Sequence, residues 1–201
     1  MRLISLQYLL MSPSHTKIIV GISGASGFTY AETFLRHLRS LPVEVHLVMT
    51  KAAQITRQQE TQISLQELKQ LVDIYHPIED IGASIASGSF QHQGMVILPC
   101  SMKSLAEIAL GLSSNLLTRA ADVCLKEKRK LILMPRETPL HAVHLKHMLT
   151  ISEMGGIIYP PMPAFYQHPQ SIHEMVEHTV GRIFSLLDLP QNLMPEWQGW
   201  R

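Results

Sequence analysis

Lys17-Ile-Ile-Val-Gly-Ile-Ser-Gly-Ala-Ser-Gly27 decides the fold. The apolar, β-branched run that ends at Ile22 is short and is followed by glycines, so it reads as a buried strand. Small residues follow, Ser23-Gly24-Ala25-Ser26-Gly27, and from Phe28 to Leu38 apolar residues recur at helical spacing. Strand, small-residue turn and helix in that order open a βαβ unit. Small side chains let the backbone approach a phosphate, and the helix start offers free N–H groups and the positive end of its dipole. The spacing is neither GxGxxG nor a GK[ST] loop, which favours a mononucleotide over a dinucleotide. Taken alone, the turn is equally a tight connection with packing glycines.

The alternation continues outward. A second strand is expected at 43–49, after Pro42, and a helix at 51–59. Ser64 with Glu67 forms a capping box for a helix at 65–72. The Gly/Ser-rich segment 75–93 reads as an irregular, mobile loop. Further strands are expected at 95–98, 130–134 and 155–159. Helices are expected at 103–110, 116–127, 139–153 (with Pro139 in the first turn) and 171–187. Strands alternating with helices predict a doubly wound parallel sheet, a Rossmann/flavodoxin-like three-layer α/β sandwich. Residues 17–189 form its single domain, between an N-terminal extension, 1–16, and a C-terminal tail, 190–201.

A chain of 201 residues has the length of one domain, and 46% apolar with 16% charged residues marks it as globular. A net charge of +1 provides no global attraction for nucleic acid or an anionic membrane, so any phosphate chemistry must rest on local cations. Cys100 and Cys124 form no CxxC, which argues against a disulfide scaffold or a zinc ribbon and fits a reducing cytoplasm. The apolar stretch 3–11 lacks a cleavage site and is too short to span a bilayer, so it reads as an extension with Met11 as an alternative start. His141, His144 and His147 recur every three residues on one expected helix, but no nearby Cys or carboxylate completes a metal site; they read as polar helix positions.

Ligands of such sheets bind beyond the carboxyl ends of the strands. There the sequence places Pro99-Cys-Ser-Met-Lys-Ser104, the charged pair Arg136-Glu137 between Pro135 and Pro139, and the proline-stiffened loop Tyr159-Pro-Pro-Met-Pro-Ala-Phe-Tyr166. An Arg-Glu pair fixed by prolines after a buried strand points into the crevice. As a surface ion pair it would contribute little.

These motifs in this order resemble the UbiX-type flavin prenyltransferases, formerly described as aromatic acid decarboxylases. The resemblance spans GISGASG (21–27), ASGSF (86–90), LPCSMKSLAEIA (98–109), LLTRAADVCLKEKR (116–129), PRETPLHAVHLKHM (135–148), PPMPAFYQHPQS (160–171) and GRIFSLLDL (181–189). It implies a transferase that moves a dimethylallyl group from dimethylallyl monophosphate to reduced FMN, its product serving a UbiD-type decarboxylase. By matching motif it makes Gly24, Ala25, Ser26, Thr50, Cys100, Ser101, Met102, Lys103 and Arg136 flavin contacts. Lys126, Tyr166, Arg182 and Arg119 become the allylic-phosphate group. Glu137, Ser26, Glu60 and Lys126 become the catalytic set, with Glu137 the preferred proton acceptor and Ser26 a relay. It further implies a homododecamer with sites at subunit junctions. Ile81-Gly-Ala-Ser-Ile85 carries no aromatic where some relatives do, and Trp197 and Trp200 lie where the match fades, so neither receives a role.

Prenyl-diphosphate enzymes hold magnesium on aspartate clusters. No DDxxD-like run occurs here, so handling of a monophosphate by Lys and Arg, without metal, is expected. The rival expectations are a flavin-dependent decarboxylase of the phosphopantothenoylcysteine type, which lacks the Arg136-Glu137, Tyr166 and Arg182 combination, and a non-catalytic flavin carrier, which has no use for a second phosphate site.

Overall fold

The computed structural model describes residues 16–194 together with 196, 197 and 199. Residues 1–15 of the expected extension, and Trp200, lie outside the described residues. Six strands, β1 (Thr16–Ile22), β2 (Val43–Met49), β3 (Ile74–His76), β4 (Gly94–Cys100), β5 (Lys130–Pro135) and β6 (Ile157–Ile158), form one sheet in the order β3-β2-β1-β4-β5-β6. Every neighbouring pair is parallel. The chain winds outward from β1 through β2 to β3, then crosses to β4 and winds the other way. That reversal opens a crevice at the carboxyl ends of β1 and β4.

Period-two alternation sorts each strand's side chains onto two faces. Ile18, Val20, Ile22, Val45, Leu47, Met49, Val96, Leu98, Ile132 and Met134 pack beneath α1 (Phe28–Leu38) and α7 (Ile172–Leu186), where the Phe34 and Phe184 rings lie 4.9 Å apart. Ile19, Val48, Met95, Ile97, Leu131 and Leu133 pack beneath α4 (Met102–Ala109) and α5 (Leu116–Lys126), with Ile151 of α6 (Ala142–Glu153). Each such fully buried side chain contributes about 1.5–3 kcal/mol of transfer free energy. Helices α2 (Lys51–Glu60) and α3 (Leu65–Gln70) follow β2. α3 opens on the Ser64–Glu67 capping box expected from the sequence.

Two expectations need correction. The segment read as a mobile loop contains β3, which extends the sheet by pairing with His46–Val48 of β2, and a 3-10 turn, Ser84–Ala86, that buries Ile85 against α5. The helix expected from Pro139 starts at Ala142, because His141 takes the N-cap and its Nδ1 accepts from the Val143 N–H at 3.2 Å. The tail begins as an ordered cap: Leu193 and Met194 pack against Gly181 of α7, and Gln191 Oε1 accepts from both their amides at 2.9 Å. Among the described residues, no helix is long and apolar enough to cross a membrane.

Candidate active site

The crevice is held together by Ser23, which is fully buried. Its hydroxyl donates to the Pro99 carbonyl at 3.1 Å and accepts from the Ser101 N–H at 2.6 Å, while its own N–H donates to Pro99 at 3.1 Å. The ends of β1 and β4 are thereby clamped. A Cβ on Gly24 would collide with the Ala52 methyl, so only glycine lets the turn lie this close to α2. Gly27 occupies the α1 N-cap at φ 111°, the left-handed region that glycine enters without strain. Between them, the amides of Gly24 and Ser26 have no hydrogen-bond partner among the described residues.

No side chain of Gly27 can cap α1, and Glu60, the last residue of α2, does so from outside. Its Oε2 accepts from the amides of Gly27 at 2.8 Å and Phe28 at 2.7 Å. Burial raises the Glu60 carboxyl. A hydrogen bond with the Ser26 hydroxyl, those two amides and the nearby charge of Arg136 outweigh it and hold the group below its ordinary value. Glu60 is therefore a carboxylate at neutral pH, joined to Ser26. Thr50 caps α2, accepting from Ala53 at 3.2 Å, and Ser101 caps α4, accepting from Ser104 at 3.3 Å. Three helices thus begin at the carboxyl ends of the adjacent strands β1, β2 and β4, and their positive ends converge on the crevice.

Arg136 follows β5, and its amide donates to Cys100 at 3.2 Å. It forms no ion pair with Glu137, whose Oε1 accepts from the Thr138 amide at 3.0 Å. Cys100 is fully buried within the α4–α5 layer, where burial pushes its thiol up to about 12; it can face a ligand only through its backbone. Lys103 is well exposed, 3.9 Å from Glu107.

A second feature is a cavity of about 760 Å³ between the β6 exit, α7 and the tail, lined by Tyr159, Tyr166, His178, Arg182, Glu196 and Trp197, among others. Trp197 stands edge-on to Tyr166 at 5.3 Å. Burial pushes the Tyr159 phenol up to about 12 against the pull of Arg182, so it stays protonated and donates to the Thr179 carbonyl at 3.2 Å. Tyr30, on the first turn of α1, also influences Tyr159 electrostatically and lies against Gly27.

The expected clamp of Lys126 and Arg119 with Tyr166 and Arg182 is not assembled within one chain. Lys126 ends α5 and pairs with Glu127. A Cβ on Gly88 would come within 2.9 Å of its Nζ, which places it beside the ASGSF loop. Arg119 holds that loop through the Ala86 carbonyl at 3.3 Å and pairs with Asp122 at 2.8 Å. α5 packs on the sheet face opposite α7. Motif order carries no sign of the face, and a group divided this way agrees with the expectation of sites at subunit junctions. Sequence reasoning also missed Ser23, Tyr30, His178 and Trp197; only Ser23 had a signal, as the polar residue directly ending an apolar strand.

The Flavoprotein family matches residues 8–184 of this chain. The flavin prenyltransferase UbiX of Neisseria meningitidis is 50% identical over 183 residues, covering 91% of this chain and 97% of the relative. That of Escherichia coli K12 is 50% identical over 186 residues, covering 91% and 98%. In three dimensions the chain matches AnUbiX (PadA1), crystallised with FMN and dimethylallyl pyrophosphate, at TM-score 0.91 and 43% identity, covering 93% of this chain and all of that one. A dodecameric FMN-dependent UbiX-like decarboxylase from Escherichia coli O157:H7 matches at TM-score 0.89 and 46% identity, covering 92% and 100%. The peptidyl-cysteine decarboxylase EpiD, 16% identical at TM-score 0.62, shares the fold alone.

Proposed function

The chain belongs to the Flavoprotein family and, within it, to the UbiX-type flavin prenyltransferases, and from that premise we propose how its residues divide the work. Reduced FMN lies across the crevice, its phosphate on the Gly24–Ser26 turn and the helix N-termini, with Thr50, Ser101, Met102, Lys103 and Arg136 around it. Dimethylallyl monophosphate enters the cavity, its phosphate met by Tyr166 and Arg182. The flavin supplies the nucleophilic N5, which takes the allylic carbon as the C–O bond breaks and inorganic phosphate leaves, and C6, which then closes a ring on the prenyl double bond.

Bonding at N5 releases a proton; closing the ring at C6 puts one proton on the prenyl double bond and takes one from C6, so the net gain is C5H8. Glu60, already a carboxylate and hydrogen-bonded to Ser26, is the acceptor that the geometry favours; Glu137 is free to serve the second transfer. Arg182 is aimed at charge that grows as the allylic C–O bond breaks, so it acts chiefly on the transition state. Lys126 and Arg119, on the opposite face, serve this chemistry from a neighbouring copy in a dodecamer like that of the Escherichia coli neighbour. The cations that meet the monophosphate require no metal. The enzyme works in the cytoplasm, where its two free cysteines remain reduced, and hands prenylated FMN to a UbiD-type decarboxylase.

The observation carrying this proposal is the pairing of two separate anion-receptive places, the capped crevice and the Arg182 cavity. Pure protein mixed with reduced FMN and dimethylallyl monophosphate should yield a flavin heavier by one C5H8 unit in mass spectrometry. An unchanged flavin mass would refute the assignment.

A further inference from the structure

His178 and Arg182 stand one turn apart on α7, and residues four apart share a helix face. Both line the cavity. The His178 side chain is 10% exposed, with Nε2 3.9 Å from Glu174 Oε1. Its Nδ1 is buried and has no hydrogen-bond partner among the described residues. An unpaired buried polar atom is destabilising, and native interiors rarely keep one without a use. The neighbouring polar groups are differently placed. Tyr159 spends its hydroxyl proton on the Thr179 carbonyl. Glu177, next along the helix, is shared between His37 at 3.6 Å and His173 at 3.4 Å. The charged and titratable groups around the His178 ring are Glu174 and Arg182 on its own helix, Tyr159 and Tyr166 on the β6 side, and Glu196 from the tail.

We propose that His178 is a third phosphate-binding side chain of this cavity, donating Nδ1–H to an oxygen of the allylic phosphate beside Arg182. The inference rests on the assignment of the cavity to dimethylallyl monophosphate. Binding then requires the ring to turn about Cβ–Cγ so that Nδ1 reaches the cavity. The ligand then supplies the partner that the protein withholds. Donation to a charged oxygen is among the stronger hydrogen bonds, so its loss is expected to cost about tenfold in affinity.

The test uses FMN-loaded protein with the flavin oxidised, so that no turnover occurs, and titrates dimethylallyl monophosphate by calorimetry. His178→Phe keeps a ring and removes the donor; its Kd should rise about tenfold. His178→Asn places an amide nitrogen near the position of Nδ1 and should stay within about threefold of the native protein. FMN content should not change in either. Native affinity in His178→Phe overturns the inference, as does an equal loss in both variants, which would leave ring packing as the role. If His178→Phe does not fold, His178→Ala against His178→Asn carries the same comparison. Arg182→Met, titrated in parallel, separates the premises: weakening there without weakening in His178→Phe sinks the His178 role alone. If neither variant weakens, the cavity assignment fails as well.

Discussion

In sequence, Glu137 beside Arg136 is the preferred proton acceptor, and Glu60 is one further matched position. The fold separates them by what they touch. Glu60 takes the Gly27 and Phe28 amides and the Ser26 hydroxyl, whereas Glu137 accepts from its own neighbour's amide. A positioned general base typically contributes about 10²–10⁴-fold, so Glu60→Gln should lower single-turnover prenylation by that factor while FMN stays bound. Glu137→Gln measured alongside should lose less; the reverse order would return the role to Glu137. His92 provides a stability test away from the site. Burial holds its imidazole at about 4, below the ordinary 6.5, with Arg129 and His46 adding to the depression and the Gly94 backbone opposing it. Cys124 Sγ lies 3.8 Å from its Nε2, and Nδ1 is unpartnered. The unfolded chain therefore binds this proton more readily than the folded one between pH 6.5 and about 4, and stability must fall as pH drops through that window. The melting temperature should decline across it, and His92→Gln should make the decline shallower. His76, depressed in the same direction, and at the acid end of the window carboxylates held low such as Glu60 and Glu44, retain the rest. An unchanged slope in His92→Gln would remove His92 as a contributor.

The elements were legible wherever local chemistry dictates them. Phe28–Leu38 and Val43–Met49 match their expected bounds because an apolar period and a β-branched run each leave one choice. The Ser64–Glu67 box is a three-residue signal and was read correctly. β3 was not legible: Ile74-Tyr75-His76 is too short to show a period and becomes a strand only because β2 offers an open edge. The Glu60 cap of α1 was hidden for a related reason, since 33 residues separate donor from acceptor. Yet the turn itself was readable, and it makes a sharp prediction. With Glu60 already beside Gly27, Ala25→Asp adds a second carboxylate where the proposal seats the phosphate of FMN. Purified Ala25→Asp should be colourless, and its flavin content, read from the absorbance after denaturation, should be near zero. A fully yellow preparation would show that the phosphate lies elsewhere.

At the scale of the whole molecule, motif order proposes which residues serve the reaction but carries no sign of which face they occupy. α5 follows β4 and covers one side of the sheet; α7 follows β6 and covers the other. Lys126 and Arg182 are therefore held apart by the sheet itself, and no side-chain motion brings them together. If both act on one allylic phosphate, they come from different copies, and each copy is incomplete alone. Repeated head-to-tail contacts in a closed assembly supply such a pairing. The consequence is genetic complementation between inactive proteins. Lys126→Met still offers Arg182, and Arg182→Met still offers Lys126. Each variant alone should form the assembly, bind FMN and fail to prenylate it. Unfolded together at equal amounts and refolded, the two should recover activity in about a quarter of the sites, those where each donor happens to be the intact one. The refolded mixture would be scored by the yield of prenylated FMN per flavin bound, against each variant refolded alone. Recovery near a quarter of the native yield fixes the two residues on separate copies. No recovery, with native assembly size restored, would mean that Lys126 and Arg182 act in one chain or not on one substrate.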